Sequence, residues 1–467
     1  MYVDTSGIRF TNPIGNLGTL TEEADLIVGT EASLGTNSKD IVVKDSRILE
    51  PYNKSMLNNP EVSKWNVYSG GLTWMATATL NKKTGTLDKL YMSKIEYTEF
   101  AGDKNTYNFL DGLEQRYGMN SLGSKEKKLF NKLNGIGKNE EILFNQAVDE
   151  MMGHQYANVQ QRIHDTGRIL DKEFRYLKDE WRTMSKDSNK VKVFGMNGEY
   201  STDTAGIIDY KSDAYGVAYL GENETLKLGD TSGWYAGLVE NRFKFKDYGK
   251  SKEKQLQGKF GVFKSVPFDY NNSLNWTISG EGFVGYNKMD RKYLVVDEIF
   301  GAKSNYWSYG VALRNELSKN FRMTESTNFK VYGAVKAEYG RYSDIKEKSG
   351  EVKLEVKAND YLSIKPEIGG ELGYKHLLND NYFFNTKLNV AYENELGELN
   401  DVDNKARVKD TTADWYKLRS EKEDRRGNVR TDLSIGVDNE RYGVTANIGY
   451  DTKGKNRRVG LGLRVIF

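Results

Sequence analysis

The sequence predicts an all-β protein with one long helix. Its main body is an antiparallel, membrane-spanning barrel of about twelve strands with an α-helix in the lumen, preceded by an irregular β segment. Three observations carry the prediction. From Val191 to Phe467 apolar and polar residues alternate with a period of two, in runs of ten or more where soluble strands hold ~5–6 residues and membrane strands ~9–11. Aromatic residues cluster near the ends of those runs. The connections are short and long in turn, as in a barrel of the outer-membrane kind, whose short turns lie on one rim and long loops on the other.

Composition agrees. Across 467 residues, 68 Lys and Arg balance 66 Asp and Glu to a net charge of +2, which argues against nucleic acid as a partner. No stretch approaches the ~18 uncharged apolar residues of a membrane helix, which leaves a membrane barrel open. With no Cys and 3 His, disulfides, thiolate sites and most metal or acid–base chemistry are removed, so no enzyme, cofactor or metal is expected. Met1 leads into Tyr-Val-Asp-Thr-Ser without a basic or apolar leader, so no secretory signal is expected. The chain would stay inside the cell or be the C-terminal part of something longer.

Residues 1–120 read as irregular β, with short apolar runs at 8–10, 24–28 and 41–43 between turn signals. Such runs suit the end of a β-helix. Residues 64–68 and 72–79 flank Ser-Gly-Gly and read as a hairpin containing Trp65 and Trp74. Residues 121–190 form a linker, helical from about 124 to 188 because Gly and Pro thin out there. Val148, Met152, Tyr156, Val159, Ile163, Leu170, Phe174, Leu177 and Trp181 line one helical face, opposite Asp171, Lys172, Arg175, Lys178 and Asp179.

Residues 191–467 form the barrel. Leu274, Trp276, Ile278, Val284 and Tyr286 alternate with polar residues including Glu281. Later runs set apolar faces against Lys336 and Glu338, against Lys365, Glu367 and Glu371, and against Arg430 and Asp432. These charges are expected to line the lumen as ion pairs. The aromatic pairs Trp276 and Tyr286, Phe329 and Tyr339, Phe384 and Tyr392, and Tyr442 and Tyr450, with Tyr374, mark two interfacial girdles. Short links fall near 267–273, 376–381 and 439–441, and a moderate one at 318–327. Long charged loops are expected at 287–304, 341–360 and 394–428. Pro366 removes a ladder hydrogen bond and calls for a local bulge. About twelve strands enclose more space than side chains fill, and the preceding helix could occupy it, its charged face toward the lumen charges.

In this order the parts resemble the C-terminal end of an autotransporter, the type V secretion family, over most of the chain. Residues 145–153 (Asn-Gln-Ala-Val-Asp-Glu-Met-Met-Gly) running into 157–162 (Ala-Asn-Val-Gln-Gln-Arg) resemble the helical approach to that family's translocator domain. Residues 457–467 resemble its C-terminal β-signal for barrel assembly, with Val459, Leu461, Leu463, Val465 and Phe467 as the apolar positions. The wording at 192–195 and 308–311 is most similar to fusobacterial autotransporter adhesins. The resemblance implies an outer-membrane translocator that anchors and exports its own N-terminal passenger to the cell surface, an adhesin fragment. Residues 1–120 would be the passenger's β-helical end and autochaperone-like cap. Partners would be outer-membrane lipids and the barrel-assembly machinery, and the barrel would be a monomer. Some members cut the lumen helix at an Asn-Asn pair. None stands in this helix, Ser188-Asn189 does not match, and no cleavage residues carry over.

Other chemistry is set aside. His154 and His164 read as polar helix-face residues and His376 as a turn residue. Residues 401–404 (Asp-Val-Asp-Asn) lack the Gly and Glu of a calcium loop and read as a solvated loop, as do the charge runs at 347–357 and 419–426. The alternatives to a translocator are a porin-like channel and a soluble β adhesin module.

Overall fold

The computed structural model describes residues 1–8, 14–179, 187–225, 229–271, 273–379, 381–399, 403–421, 426–439 and 441–466. Twelve strands form the barrel: β1 (Asp187–Tyr200), β2 (Tyr210–Glu224), β3 (Thr231–Phe245), β4 (Lys252–Pro267), β5 (Leu274–Val295), β6 (Glu298–Arg322), β7 (Thr327–Tyr342), β8 (Asn359–Asn379), β9 (Tyr382–Asn394), β10 (Gly427–Asp438), β11 (Tyr442–Asp451) and β12 (Arg457–Ile466). Each pairs antiparallel with the next, and β12 returns to β1 from Arg457↔Glu199 to Ile466↔Lys190. Closure leaves no open strand edge along the barrel wall, as hydrocarbon demands.

The period-two pattern maps onto the two faces. Outward Phe260, Val311, Ile368, Val444 and Leu461 are exposed, Ile368 at 67% and Leu461 at 66%, and together form an apolar belt fit for lipid. Trp276, Tyr339, Tyr374, Tyr392, Tyr442 and Tyr450 are exposed toward its edges. The turn at 323–326 lies on the rim of short turns, and the opposite rim holds 343–358, 395–399 and 403–421.

Two expectations about the strands are corrected. Residues 287–304 are not a loop. They continue β5 and β6, which pair without a break from Leu274↔Lys319 to Val295↔Glu298 and turn at Val296 and Asp297. The tip rests on a helix N-terminal to the barrel, Lys128 reaching Glu298 at 2.5 Å and Lys132 reaching Asp297 at 2.8 Å. Pro366 needs no bulge, because it lies one step beyond the last β8–β9 pair, Glu367↔Glu393, with its imide nitrogen toward the strand that has already left. The irregularity in β8 falls at Leu377 and Asn379.

The N-terminal part differs more. Tyr2–Val3, Glu23–Val28 and Lys64–Ser69 form a parallel stack, and Leu87–Lys94 pairs antiparallel with Asp40–Val43 and Trp74–Leu80. The expected hairpin is therefore wrong. Its first arm pairs with 23–28, its second with 87–94, and Trp74 is buried in a core with Val3, Leu26 and Leu90. Residues 1–120 also hold two helices, α1 (Ser46–Asn58) and α2 (Lys104–Arg116), started by Asp45, which accepts from the Arg47 N–H, and by Asp103, which accepts from those of Asn105 and Thr106. Pro51 inside α1 and Gly112 inside α2 hid both, since each normally breaks a helix.

The expected single helix is three: α3 (Lys125–Asn134), α4 (Glu141–Met151) and α5 (Val159–Asp179). The break after α4 is Gly153, whose φ of 82° disfavours a side chain.

Candidate functional site: a helix in the barrel lumen

Helix α5 has 21 residues, hence a length of about 32 Å at ~1.5 Å per residue, enough to run the height of the barrel. It begins near the long-loop rim and ends near the short-turn rim. Its two faces meet two different walls. Ile169, Leu170, Phe174 and Leu177 pack on Phe194, Met196, Ala218, Leu220, Tyr235, Val239 and Phe263 of β1 to β4. Phe174 and Tyr235 rings lie 4.5 Å apart. Gly237 lets the helix come this close, since a Cβ there would sit 2.7 Å from Leu170 Cδ2.

The charged face meets β4 and the strands that follow it through a ladder of ion pairs. Near the loop rim the buried Arg162 donates to Glu253. His164 bonds Glu338 through Nδ1 at 2.8 Å and Lys365 through Nε2 at 2.7 Å. Arg168 reaches Glu393 at 3.1 Å, and Lys172 reaches Asp432 at 3.1 Å. Asp171 accepts from both Lys259 and Lys336, and Lys336 also reaches Glu281 at 2.8 Å and Glu338 at 3.1 Å. Arg175 reaches Glu367 at 3.5 Å. Across the wall, Arg430 joins Glu367 at 2.6 Å, Glu393 at 3.2 Å and Asp432 at 3.1 Å.

Every lumen charge read from the sequence therefore faces inward. Glu371, 3.7 Å from Lys387, stands off the helix. Asp171, Glu281 and Glu338 could in geometry hold a cation, but Lys259 and Lys336 already supply the positive charge. Between the helix and the charged wall remains a cavity of about 130 Å³, room for a few waters.

The apolar helix residues Val159, Ile163, Leu170, Phe174 and Leu177 are all buried, whereas Trp181 lies outside the described residues. Val159 and Ile163 join a larger core at the loop rim with Phe109, Phe144, Tyr293, Tyr342, Val408 and Tyr416. Val459, Leu461, Leu463 and Val465 face outward and are exposed, and Phe467 lies outside the described residues.

The segments over the mouth are folded, not solvated loops. Residues 345–346, 354–356, 405–408 and 416–417 form a four-stranded sheet on which α2 docks, Phe109 against the Tyr416 ring at 5.6 Å. Glu347, expected to be solvated, is wholly buried. It accepts from Arg291 at 2.7 and 2.9 Å and from the Tyr156 hydroxyl at 3.0 Å. Asn404, placed in a solvated loop, is buried too. Its Nδ2 donates to the carbonyls of Tyr156 at 3.0 Å and Ala157 at 3.1 Å, and its Oδ1 accepts from Tyr342 at 2.7 Å, which clasps the start of α5. His154 and His164 are also buried, and His376 lies on β8 with its ring stacked 6.3 Å from Tyr374.

The family described as the autotransporter beta-domain matches residues 190–449. Among solved structures, the translocator domain of the autotransporter NalP from Neisseria meningitidis has a TM-score of 0.50 at 11% identity, over 67% of this chain and 98% of that one. The beta domain of the Bordetella autotransporter BrkA has a TM-score of 0.41 at 11% identity, over 60% and 99%. The transport unit of AIDA-I from Escherichia coli has a TM-score of 0.41 at 11% identity, over 69% and 97%. No curated protein matches the sequence.

Proposed function

Since this chain belongs to the autotransporter family, its barrel lies in the outer membrane and carries a passenger to the cell surface, and we propose that residues 1–120 are the end of that passenger. One observation carries the reading. Helix α5 threads the lumen from the long-loop rim to the short-turn rim, so everything before it stands at the rim that faces outward from the cell. The parallel stack of residues 2–3, 23–28 and 64–69 suits the last coils of a β-helix, and the helices that follow would serve as its cap.

The passenger is an adhesin in this reading, and the chain catalyses no reaction and holds no cofactor. The buried lumen acids support that view, because ion-paired carboxylates are poor proton carriers at neutral pH. The barrel acts as a monomer, with its exposed belt against lipid. The outward stripe Val459, Leu461, Leu463 and Val465 with Phe467 serves as the β-signal read by the assembly machinery, and the inward charges anchor the helix.

The test is protease treatment of intact cells that carry the protein with a secretory signal. An epitope in the loop at 81–86 should be shaved, while one in the turn at 323–326 should survive until the outer membrane is opened. The reverse pattern would overturn the orientation.

A further inference from the structure

Above the apolar belt, on the wall of β3 to β6, the outer surface turns strongly basic. The register of β3, β4, β5 and β6 aligns Arg242, Lys254, Lys288 and Asn305 in one row and Lys244, Lys252, Asp290 and Lys303 in the next. All six cations point outward and are exposed. They line a groove of about 470 Å³ on the outer wall at the long-loop rim. Directly beneath, the next outward row holds Leu256, Tyr286 and Trp307, the upper girdle of the belt, with Tyr286 and Trp307 rings 4.9 Å apart.

The local acids do not balance this charge. Glu240 pairs with Arg242 at 2.7 Å and Lys254 at 2.5 Å, and Asp213 pairs with Lys244 at 2.6 Å. Asp290 stands between Lys252 and Lys303 in register without an ion pair to either. Six cations thus face three carboxylates. Among the described residues, Lys252, Lys288 and Lys303 have no carboxylate partner, and the Lys288 ammonium only rests over the Tyr286 ring at 5.6 Å. At the same rim the outward positions at the ends of β8, β9 and β10 are Asp360, Asn394 and Gly427.

We propose that this groove binds the phosphorylated headgroup of an outer-leaflet glycolipid, whose acyl chains lie on the belt below. The proposal rests on the outer-membrane placement of the barrel. A phosphomonoester carries about −1.5 to −2 charge and three acceptor oxygens, which matches three unpartnered ammonium groups within two adjacent rows. The height fits as well. The cations begin one outward position above the aromatic residues, where the headgroup layer begins. A free anion would find the same cations but has no use for the apolar surface beneath them, so the site is assigned to lipid.

The experiment takes the full chain, folded in detergent and verified by heat-modifiable migration. Binding is measured for three probes: a bis-phosphorylated lipid A, the same lipid with both phosphates removed, and inorganic phosphate alone. The phosphorylated lipid should bind at least about tenfold more tightly than the dephosphorylated one, and inorganic phosphate much more weakly than either. The combined variant Lys252→Gln, Lys288→Gln and Lys303→Gln should erase the preference while it keeps the heat-modifiable band. The control Arg341→Gln and Arg457→Gln, on other strands, should keep it. Equal binding of the two lipids, an unaffected triple variant, or phosphate alone binding as tightly as the lipid would each overturn the proposal. Loss of the heat-modifiable band in the unmodified chain would instead strike the barrel reading itself.

Discussion

Arg291 and Glu347 sit on different excursions of the chain, yet each is wholly buried and they meet through two bonds of 2.7 and 2.9 Å. Removing one partner of such a pair leaves a charge stranded in the core, at a cost of about 3–5 kcal/mol. Glu347→Gln should therefore loosen the mouth, seen as protease cleavage within 343–358 that the unmodified protein resists. Lys94 makes a second test. Burial pushes its ammonium down to about 8, although Glu114 at 2.5 Å pulls the other way. An unfolded lysine keeps its proton to ~10.4, so between pH ~8 and ~10.4 the unfolded chain binds more protons and stability rises with pH. Below about pH 8 that gain is absent. In denaturant titrations the stability difference between the protein and Lys94→Met should thus change across this window and stay flat beneath it.

Helix α5 is the element on which function turns, because its apolar face matches one wall and its charges the other. With the rod in place, the cavity between it and the charged wall is about 130 Å³, so the intact protein should pass little current in planar bilayers. A chain without residues 1–178 should conduct clearly. Equal current from both would favour a porin. The strands make their own prediction. Val311 lies mid-belt and outward at 60% exposure, so Val311→Arg should destabilise the barrel by about 2–4 kcal/mol in lipid vesicles. A charge placed at the loop-rim tip, Ile299→Arg, should cost little.

Across the whole molecule, the barrel was legible and the cap was not, for one physical reason. Lipid on one side and a charged lumen on the other impose a strict alternation that the chain cannot hide, so Glu281, Lys336, Glu367 and Arg430 could be placed inward from sequence alone. Above the membrane that constraint lapses. Glu347 and Asn404 occupy polar, charge-rich stretches that read as solvated, and distant partners such as Arg291 and Tyr156 help to bury them. The helices α1 and α2 were likewise obscured by Pro51 and Gly112, which tertiary packing tolerates and local propensity does not.

The central claim is that α5 runs inside the barrel, and thiol cross-linking tests it most directly because the chain has no native cysteine. Phe174→Cys and Tyr235→Cys place thiols on the helix and on β3, where the native rings stand 4.5 Å apart. With a short bismaleimide, the folded protein should yield an internally cross-linked species that vanishes when the chain is boiled in detergent before the reagent is added. A folded, heat-modifiable barrel in which the two thiols never join would contradict the account.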